Sequence, residues 1–175
     1  MKKIIYPEKK DWPEILRRPA LNTDMLRETV KEVLDRVKTE GDKAVMEYEE
    51  RFDKVKLDSL RVTEAEIAEA EKGVPIELKA AIMLAQKNIH TFHRSQRFEG
   101  KKVQTVPGVT CWQKAVAIEK VGLYIPGGTA PLFSTVLMLA TPAQIAGCKE
   151  IVLCTPPDKE GKVHPAILYA AKLAG

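Results

Sequence analysis

The sequence contains no long apolar run. No segment approaches the roughly 20 consecutive apolar residues that a membrane-spanning helix needs. The opening residues, MKKIIYPEKKDW, include lysines but neither a sustained apolar stretch nor a small-residue cleavage site, so they do not match a secretory signal peptide. We therefore expect a soluble, cytoplasmic protein with no membrane partner.

Cysteine and histidine are also scarce. The three cysteines are odd in number and have no C-x-x-C spacing, which favours reduced thiols over a disulfide framework or a zinc knuckle. Three histidines among 175 residues are too few for a histidine-rich metal site. Reduced thiols agree with the expected cytoplasmic location.

Charge is distributed unevenly along the chain. Residues 1–100 hold 20 basic and 20 acidic side chains, whereas residues 101–175 hold 8 and 4. The first section is therefore expected to form solvent-exposed helices, and the second to form elements buried on two faces. We place a domain boundary near Gly100, with an amino-terminal arm and helical section over 1–100 and a second domain over 101–175.

Helix-start signals recur through the first section. Capping-box spacing, in which a side chain three residues on can return to the cap, occurs at Asp11 with Glu14 and at Thr63 with Glu66. Each pair precedes apolar residues. Both positions are therefore predicted to begin helices.

Two further helices are predicted between these positions. Asn22 or Thr23 can cap a helix that ends at Gly41. Asp42 then restarts a helix that continues to about Phe52.

The longest helix is predicted from Pro75 onward. Apolar residues recur there at steps of four and three, which is the spacing of one helix face. These residues are expected to form a buried stripe: Leu78, Ile82, Ala85, Ile89 and Phe92.

The pattern changes to strands after Gly100. A Pro107-Gly108 turn is predicted between short strands, and the predicted strands are Val103 to Val106, Val109 to Trp112, Ala115 to Ile118, Val121 to Ile125 and Ile151 to Cys154. Helices are predicted from Pro131 to Ile145, which should be buried nearly all round, and from His164 to Leu173. Alternating strands and helices indicate parallel pairing with crossover helices. The predicted class is α/β, with a helical amino-terminal section followed by the first part of an incomplete doubly wound parallel sheet, and we interpret its end as a truncation.

The segment VGLYIPGGTAPLFS, which begins at Val121, joins a strand to a helix through a Pro-Gly-Gly turn. Gly127 and Gly128 let the backbone approach a ligand, and the following helix presents N–H groups and partial positive charge to a phosphate. Gly122 and Gly127 have P-loop spacing and Thr129 falls at its Ser/Thr position, but Gly128 replaces the lysine, which argues against NTP hydrolysis. The Rossmann fingerprint G-x-G-x-x-G is absent as well. The pattern alone leaves two interpretations, a ligand loop or a tight strand–helix connection.

A longer stretch resembles a known family. The run VGLYIPGGTAPLFSTVLMLATPAQIAGCKEIVLCTPP resembles the signature region of histidinol dehydrogenases, and EGDKAVMEYEERFD, NIHTFHRSQ and VPGVTCWQ resemble that family in the same order. The resemblance extends from about Asn22 to Gly175. It implies an NAD-dependent, zinc-containing homodimeric dehydrogenase with incomplete Rossmann-like domains. Such an enzyme oxidises L-histidinol to L-histidine through a bound aldehyde, using two NAD, in histidine biosynthesis.

The resemblance implies a cofactor role for Tyr124. This residue matches the family's tyrosine that contacts NAD in the strand before Pro-Gly-Gly, and its ring can stack while its hydroxyl forms a hydrogen bond. The alternative is a tyrosine at the sheet end that packs on the following helix. Gly127, Gly128 and Thr129 line the same turn and are expected to lie near NAD.

The resemblance also implies that the family's zinc ligands and acid–base residues are not among these 175 residues. The family's zinc ligands (a glutamine, two histidines and an aspartate) and its Glu-His acid–base pair lie downstream of the matched segment. No catalytic and no metal-binding residue is therefore assigned, and the segment alone is expected to be inactive. The alternative hypothesis is a non-catalytic binding or assembly module with a vestigial nucleotide loop.

Several reactive side chains are predicted to be structural. His90 and His93 lie three apart on the long helix, but no third metal ligand is evident nearby, so they are expected to be solvated or capping. His164 is expected at the surface. Cys111 and Cys148 have no identifiable partner base, and Cys148 is expected to be buried packing.

The amino terminus is basic without the features of a nucleic-acid site. It lacks a basic stripe and interleaved aromatic residues. An arm that reaches a partner subunit fits its four lysines better than nucleic-acid binding does: Lys2, Lys3, Lys9 and Lys10.

Overall fold

The computed structural model describes residues 3–18, 24–128 and 130–175. The chain divides into two compact units, residues 1–45 and 46–175. Within the described ranges, no helix is both long enough and apolar enough to cross a membrane.

The first unit is helical. A 3-10 turn (Lys9–Asp11) leads into α1 (Trp12–Ile15), and α2 (Asp24–Glu40) is the main helix. The capping box predicted at Asp11 is wrong, since Asp11 makes no side-chain capping hydrogen bond. Its backbone continues the helical turn, with φ −89° and ψ −12°, whereas a capping aspartate needs an extended backbone. The predicted caps Asn22 and Thr23 lie outside the described residues.

The helix predicted from Asp42 has two parts. It begins as α3 (Asp42–Tyr48) and continues as a π-helical turn (Glu49–Asp53). The turn ends at Lys54, whose backbone is left-handed with φ 62°. The predicted end near Phe52 is thus close to the observed one.

Helix α4 (Glu64–Gly73) begins at the predicted capping box. The Thr63 hydroxyl oxygen accepts a hydrogen bond from the Glu66 backbone N–H at 3.2 Å. The Glu66 carboxylate accepts one from the Thr63 backbone N–H at 2.7 Å. This second bond, first among its causes, lowers the pKa of Glu66. The box predicted from spacing alone is confirmed.

Glu49, in the π-helical turn, has its pKa shifted in the opposite direction. Burial raises the pKa of Glu49. Repulsion by Asp53, and a hydrogen bond that protonated Glu49 can donate to Asp53, raise this pKa further. A carboxyl group with a raised pKa in the folded state destabilises the fold once it ionises. We expect E49Q to raise the thermal midpoint at pH 7. This gain in thermal midpoint should shrink as the pH falls through the raised pKa of Glu49. It should vanish below the ordinary glutamate pKa, because Glu49 is then protonated in both the folded and the unfolded protein.

The matched control is E66Q, which should give the opposite sign. The stabilisation by Glu66 is present above the ordinary glutamate pKa and is lost as the pH falls through its lowered pKa. Thermal unfolding followed by circular dichroism from pH 7 to acid measures both variants. A lower midpoint for E49Q at pH 7 would contradict the assignment of Glu49 as a destabilising charge.

Helix α5 (Ile76–Ser95) is the predicted long helix and packs in the core of the second unit. Ile82 is buried, and three further stripe residues pack partly buried against the core: Leu78, Ala85 and Ile89. The prediction that Phe92 is buried is wrong, because its side chain is 62% exposed. Ile89 is the last α5 residue that reaches the core.

An antiparallel hairpin follows α5. Strands β1 (Lys102–Val106) and β2 (Val109–Trp112) pair around the predicted turn, where Gly108 has φ +84°. The strand predicted at Ala115 to Ile118 is wrong: residues 113–118 are irregular, and both Val116 and Ile118 are exposed. An apolar run becomes a strand only when a neighbour completes its hydrogen-bond ladder, and no described segment does so here.

A parallel βαβ unit forms the rest of the chain. Strands β3 (Lys120–Tyr124) and β4 (Glu150–Cys154) pair in parallel, with Lys120 opposite Glu150 and Tyr124 opposite Cys154. Helix α6 (Phe133–Ala146) connects them, and α7 (Pro165–Leu173) follows. This order confirms the predicted class, an incomplete α/β fold.

Helix α6 is buried on one side only. Its buried residues are Val136, Leu137, Ala140 and Thr141, and it packs against α5 and α7. The prediction that it is buried nearly all round is wrong, since Met138 is 58% exposed and Leu139 is exposed too. The described helices cover one side of α6 and leave the other in solvent.

Helices before and after Gly100 pack together. Helix α5 packs on α6, and α4 packs on α7, where Lys172 and Glu71 form an ion pair at 2.6 Å. The domain boundary near Gly100 stays a prediction about the organisation of the chain.

Candidate cofactor site

The carboxyl ends of β3 and β4 lie at the same edge, because the strands are parallel. Tyr124 is opposite Cys154, and the backbone N–H of Ile125 donates to the Cys154 carbonyl oxygen at 2.9 Å. This bond extends the ladder one residue beyond β3. The Pro-Gly-Gly turn and the segment 155–157 therefore leave the sheet side by side, at the kind of edge where open α/β sheets bind ligands.

Tyr124 lies on the face of the sheet opposite the core. Strand residues alternate between faces, and Leu123 and Ile125 pack in the core with α6. Tyr124 is 64% exposed. The alternative of a tyrosine packed on the following helix does not match this geometry, and the ring and hydroxyl are accessible.

The exposed face around Tyr124 is uncharged at the carboxyl end of the pair. It also presents three other residues: Gly122, Val152 and Cys154. A flat apolar surface next to an accessible tyrosine suits an aromatic ring of a ligand.

The two glycines of the turn have different surroundings. A Cβ atom on Gly127 would lie 2.6 Å from Cγ of Pro156, whereas a Cβ on Gly128 would meet no described atom within 4 Å apart from its chain neighbours. Gly127 is therefore required by the close approach of Pro156. Gly128 has no such internal requirement, and its backbone is open to a ligand. Gly127 thus fits the tight strand–helix connection, and the ligand-loop interpretation stays a prediction for Gly128.

Thr129 lies outside the described residues, so its predicted place near the cofactor stays a prediction. Helix α6 begins shortly after it, with Leu132 as N-cap and no side-chain capping hydrogen bond. The first turn of a helix carries partial positive charge on its N–H groups. Leucine cannot neutralise these groups, so this end remains able to attract an anion.

Thr155 adds a polar group to the same edge. The residue is half-buried, and its hydroxyl oxygen is fully buried without a hydrogen-bond partner among the described residues. A buried hydroxyl without a partner is uncommon in folded proteins. The sequence pattern predicts no role for Thr155 or Pro156. The available signal was a hydroxyl directly after a strand, at the edge where parallel strands end.

Two of the histidines make local hydrogen bonds, and the cysteines are exposed or half-buried. Nδ1 of His93 lies 2.9 Å from Oε1 of Gln96, and Nδ1 of His164 accepts from the Ala166 backbone N–H at 3.1 Å as the N-cap of α7. His164 is exposed as expected, and its capping role was missed. Cys148 is only half-buried. Within the described ranges, no three His, Cys, Asp or Glu side chains are grouped so that they could hold a metal.

The fold and this edge define an α/β protein with a parallel βαβ unit and a glycine turn at the carboxyl end of its first strand. The family model of histidinol dehydrogenase matches residues 16–175, and the chain belongs to that family.

Known histidinol dehydrogenases are similar in sequence to nearly all of this chain. It is 73% identical over 175 residues to a histidinol dehydrogenase of Bacteroides fragilis, covering all of this chain and 41% of that protein. It is 52% identical over 162 residues to that of Salmonella typhimurium, covering 92% and 36%. The crystal structure of histidinol dehydrogenase from Elizabethkingia anophelis superposes with a TM-score of 0.90 at 48% identity, covering 97% of this chain and 39% of that one. The chain spans about two fifths of the length of these relatives.

Proposed function

We propose that this chain supplies one wall of the NAD site of a histidinol dehydrogenase. The whole protein would oxidise L-histidinol to L-histidine through a bound aldehyde, with two NAD accepting the electrons. Membership of the family supports the reaction. The observation that carries the assignment of the site is the exposed Tyr124 beside the open backbone of Gly128, at the carboxyl edge of a parallel strand pair.

The residues at this edge fit a dinucleotide. Tyr124 would stack against a ring and donate a hydrogen bond from its hydroxyl. The backbone of Gly128, with Gly127 and Thr129 beside it, would allow the phosphates to approach the amino terminus of α6. NAD, when bound, supplies the hydride acceptor. The chain's own part is to bind and orient it.

Zinc does not fit the residues described here. No group of three potential ligand side chains is present among them, so no step of the proposed reaction passes through zinc on this chain. We assign the zinc site and the acid–base residues to the additional length of the family's proteins. The segment alone would then have no dehydrogenase activity.

Two further features of the whole protein belong to the same proposal. The family resemblance supports a homodimer that takes histidinol and NAD. A place in amino-acid biosynthesis and three cysteines outside disulfides support a cytoplasmic location.

The test is a titration of the isotope-labelled 175-residue chain with NAD, followed by NMR. This method detects millimolar affinity, which suits a site with one wall. We expect shifts at the amides of Tyr124, Gly127 and Gly128. Y124A should abolish or strongly weaken the response, because the stacking surface is lost. The same samples supplied with histidinol should form no NADH.

The matched control is Y6A, since Tyr6 is also highly exposed but lies in the first unit. Y6A should titrate like the parent chain. Absence of shifts at the β3–β4 edge up to tens of millimolar NAD would overturn the assignment of the site and favour the binding or assembly module. NADH formation by the purified chain would overturn its inactivity.

A further inference from the structure

We propose that the Thr155 hydroxyl donates a hydrogen bond to a phosphate or ribose oxygen of the dinucleotide bound at the β3–β4 edge. This inference rests on the proposed NAD site and adds a residue that the glycine turn and Tyr124 do not imply. Thr155 would position the cofactor; it would take no part in the chemistry of histidinol.

The first observation is the state of the hydroxyl group itself. Its oxygen is fully buried and has no partner among the described residues. Such a group loses its hydrogen bonds to water and gains none in return. Valine has the same shape without this penalty. A threonine here therefore weakens the isolated fold, unless a partner arrives that the chain alone does not supply.

The second observation is the position of Thr155. It directly follows Cys154, whose carbonyl accepts from Ile125 and which pairs with Tyr124. It directly precedes Pro156, whose ring lies against Gly127. Contacts on both sides thus hold Thr155 to the end of β3 that carries the candidate cofactor residues. The hydroxyl cannot move away from this edge without breaking them.

Rotation of the side chain can make the hydroxyl available. Rotation about χ1 between staggered positions can move the threonine hydroxyl to the place of the Cβ hydrogen and the methyl group to the place of the hydroxyl. Thr155 is half-buried although its hydroxyl oxygen is buried, so its other atoms account for the exposure. A rotation that the ligand stabilises would take the oxygen out of its buried position and place the methyl group there.

A second threonine provides the contrast. Thr141 is completely buried in α6, and its hydroxyl also lacks a partner among the described residues. It lies within the helix and not at the carboxyl edge of the strands. Thr141 therefore serves as the control for a buried hydroxyl that has no ligand to meet.

The experiment compares T155V, T155S and T141V in the 175-residue chain. Thermal unfolding without NAD and NMR titration with NAD are measured for each. T155V should keep or raise the thermal midpoint and weaken NAD binding by about 3- to 10-fold, the loss of one hydrogen bond. T155S should bind within about twofold of the parent, since its hydroxyl remains. T141V should also keep or raise the midpoint and should leave NAD affinity unchanged.

The outcomes separate the two proposals. Unchanged NAD affinity in T155V, with the parent binding at the edge, overturns the role of Thr155 alone. A T155V chain that is less stable or unfolded also overturns it, because the hydroxyl is then structural. A parent chain that gives no shifts at the edge overturns the NAD site, and with it this inference. Both proposals are supported if T155V binds NAD more weakly but stays as stable as the parent, and if T155S binds NAD like the parent.

Discussion

Replacing Leu137 by alanine is expected to lower the free energy of unfolding by about 2–5 kcal/mol. Leu137 is 0% exposed and lies on the side of α6 that packs into the core with Ile125 and Ile82. The substitution removes buried apolar surface and leaves a cavity that surrounding helices fill only in part. It is among the largest changes that a single side chain of this unit allows.

The neighbouring Met138 gives a matched control in the same helix. It is mostly exposed, so M138A should change stability by no more than about 0.5 kcal/mol. Urea unfolding of both variants measures the difference in the free energy of unfolding, provided that the dependence of this free energy on urea concentration has the same slope in both. Equal loss for both would mean that the buried side of α6 is assigned wrongly.

Replacing Gly127 by alanine should lower the free energy of unfolding by about 1–3 kcal/mol, the usual cost of overpacking. The new Cβ would lie 2.6 Å from Cγ of Pro156. A proline ring is closed and cannot swing aside as a flexible side chain can. The turn or the segment after β4 must therefore shift, and this shift would disturb the edge that carries Tyr124.

Gly128 is the matched control for this substitution. A Cβ there meets no described atom within 4 Å apart from its chain neighbours, so G128A should keep stability within about 0.5 kcal/mol. If NAD lies on this backbone, G128A should nevertheless weaken the NMR response to NAD, because the methyl group occupies the approach. Urea unfolding and the NAD titration together separate the two glycines. A stable G127A chain would contradict the packing argument, and a G128A chain with unchanged NAD response would remove Gly128 from the site.

Local signals in the sequence predicted local structure well. The spacing of Thr63 and Glu66 fixes a capping box because both hydrogen bonds are made within four residues. The Pro107-Gly108 pair predicts the hairpin turn for another local reason: the turn needs a backbone conformation that glycine tolerates. The βαβ order follows from where turns interrupt the apolar runs.

Burial depended on neighbours that spacing does not specify. Phe92 continues the apolar stripe of α5, yet the core ends at Ile89. The run from Ala115 to Ile118 has strand composition, yet no described segment pairs with it. Asp11 has the right spacing for a capping box, yet its backbone continues the preceding turn.

The candidate site shows the same division. The sequence by itself determined the strand–turn–helix around Tyr124, the family resemblance and the absence of a P-loop lysine, because each is encoded in neighbouring residues. Only the tertiary structure decided that Tyr124 faces away from the core, that Gly127 is required by Pro156, and that the Thr155 hydroxyl is buried without a described partner. Those facts arise where β3 and β4 meet, about thirty residues apart in sequence, and contacts over that distance are set by packing in space and not by spacing along the chain.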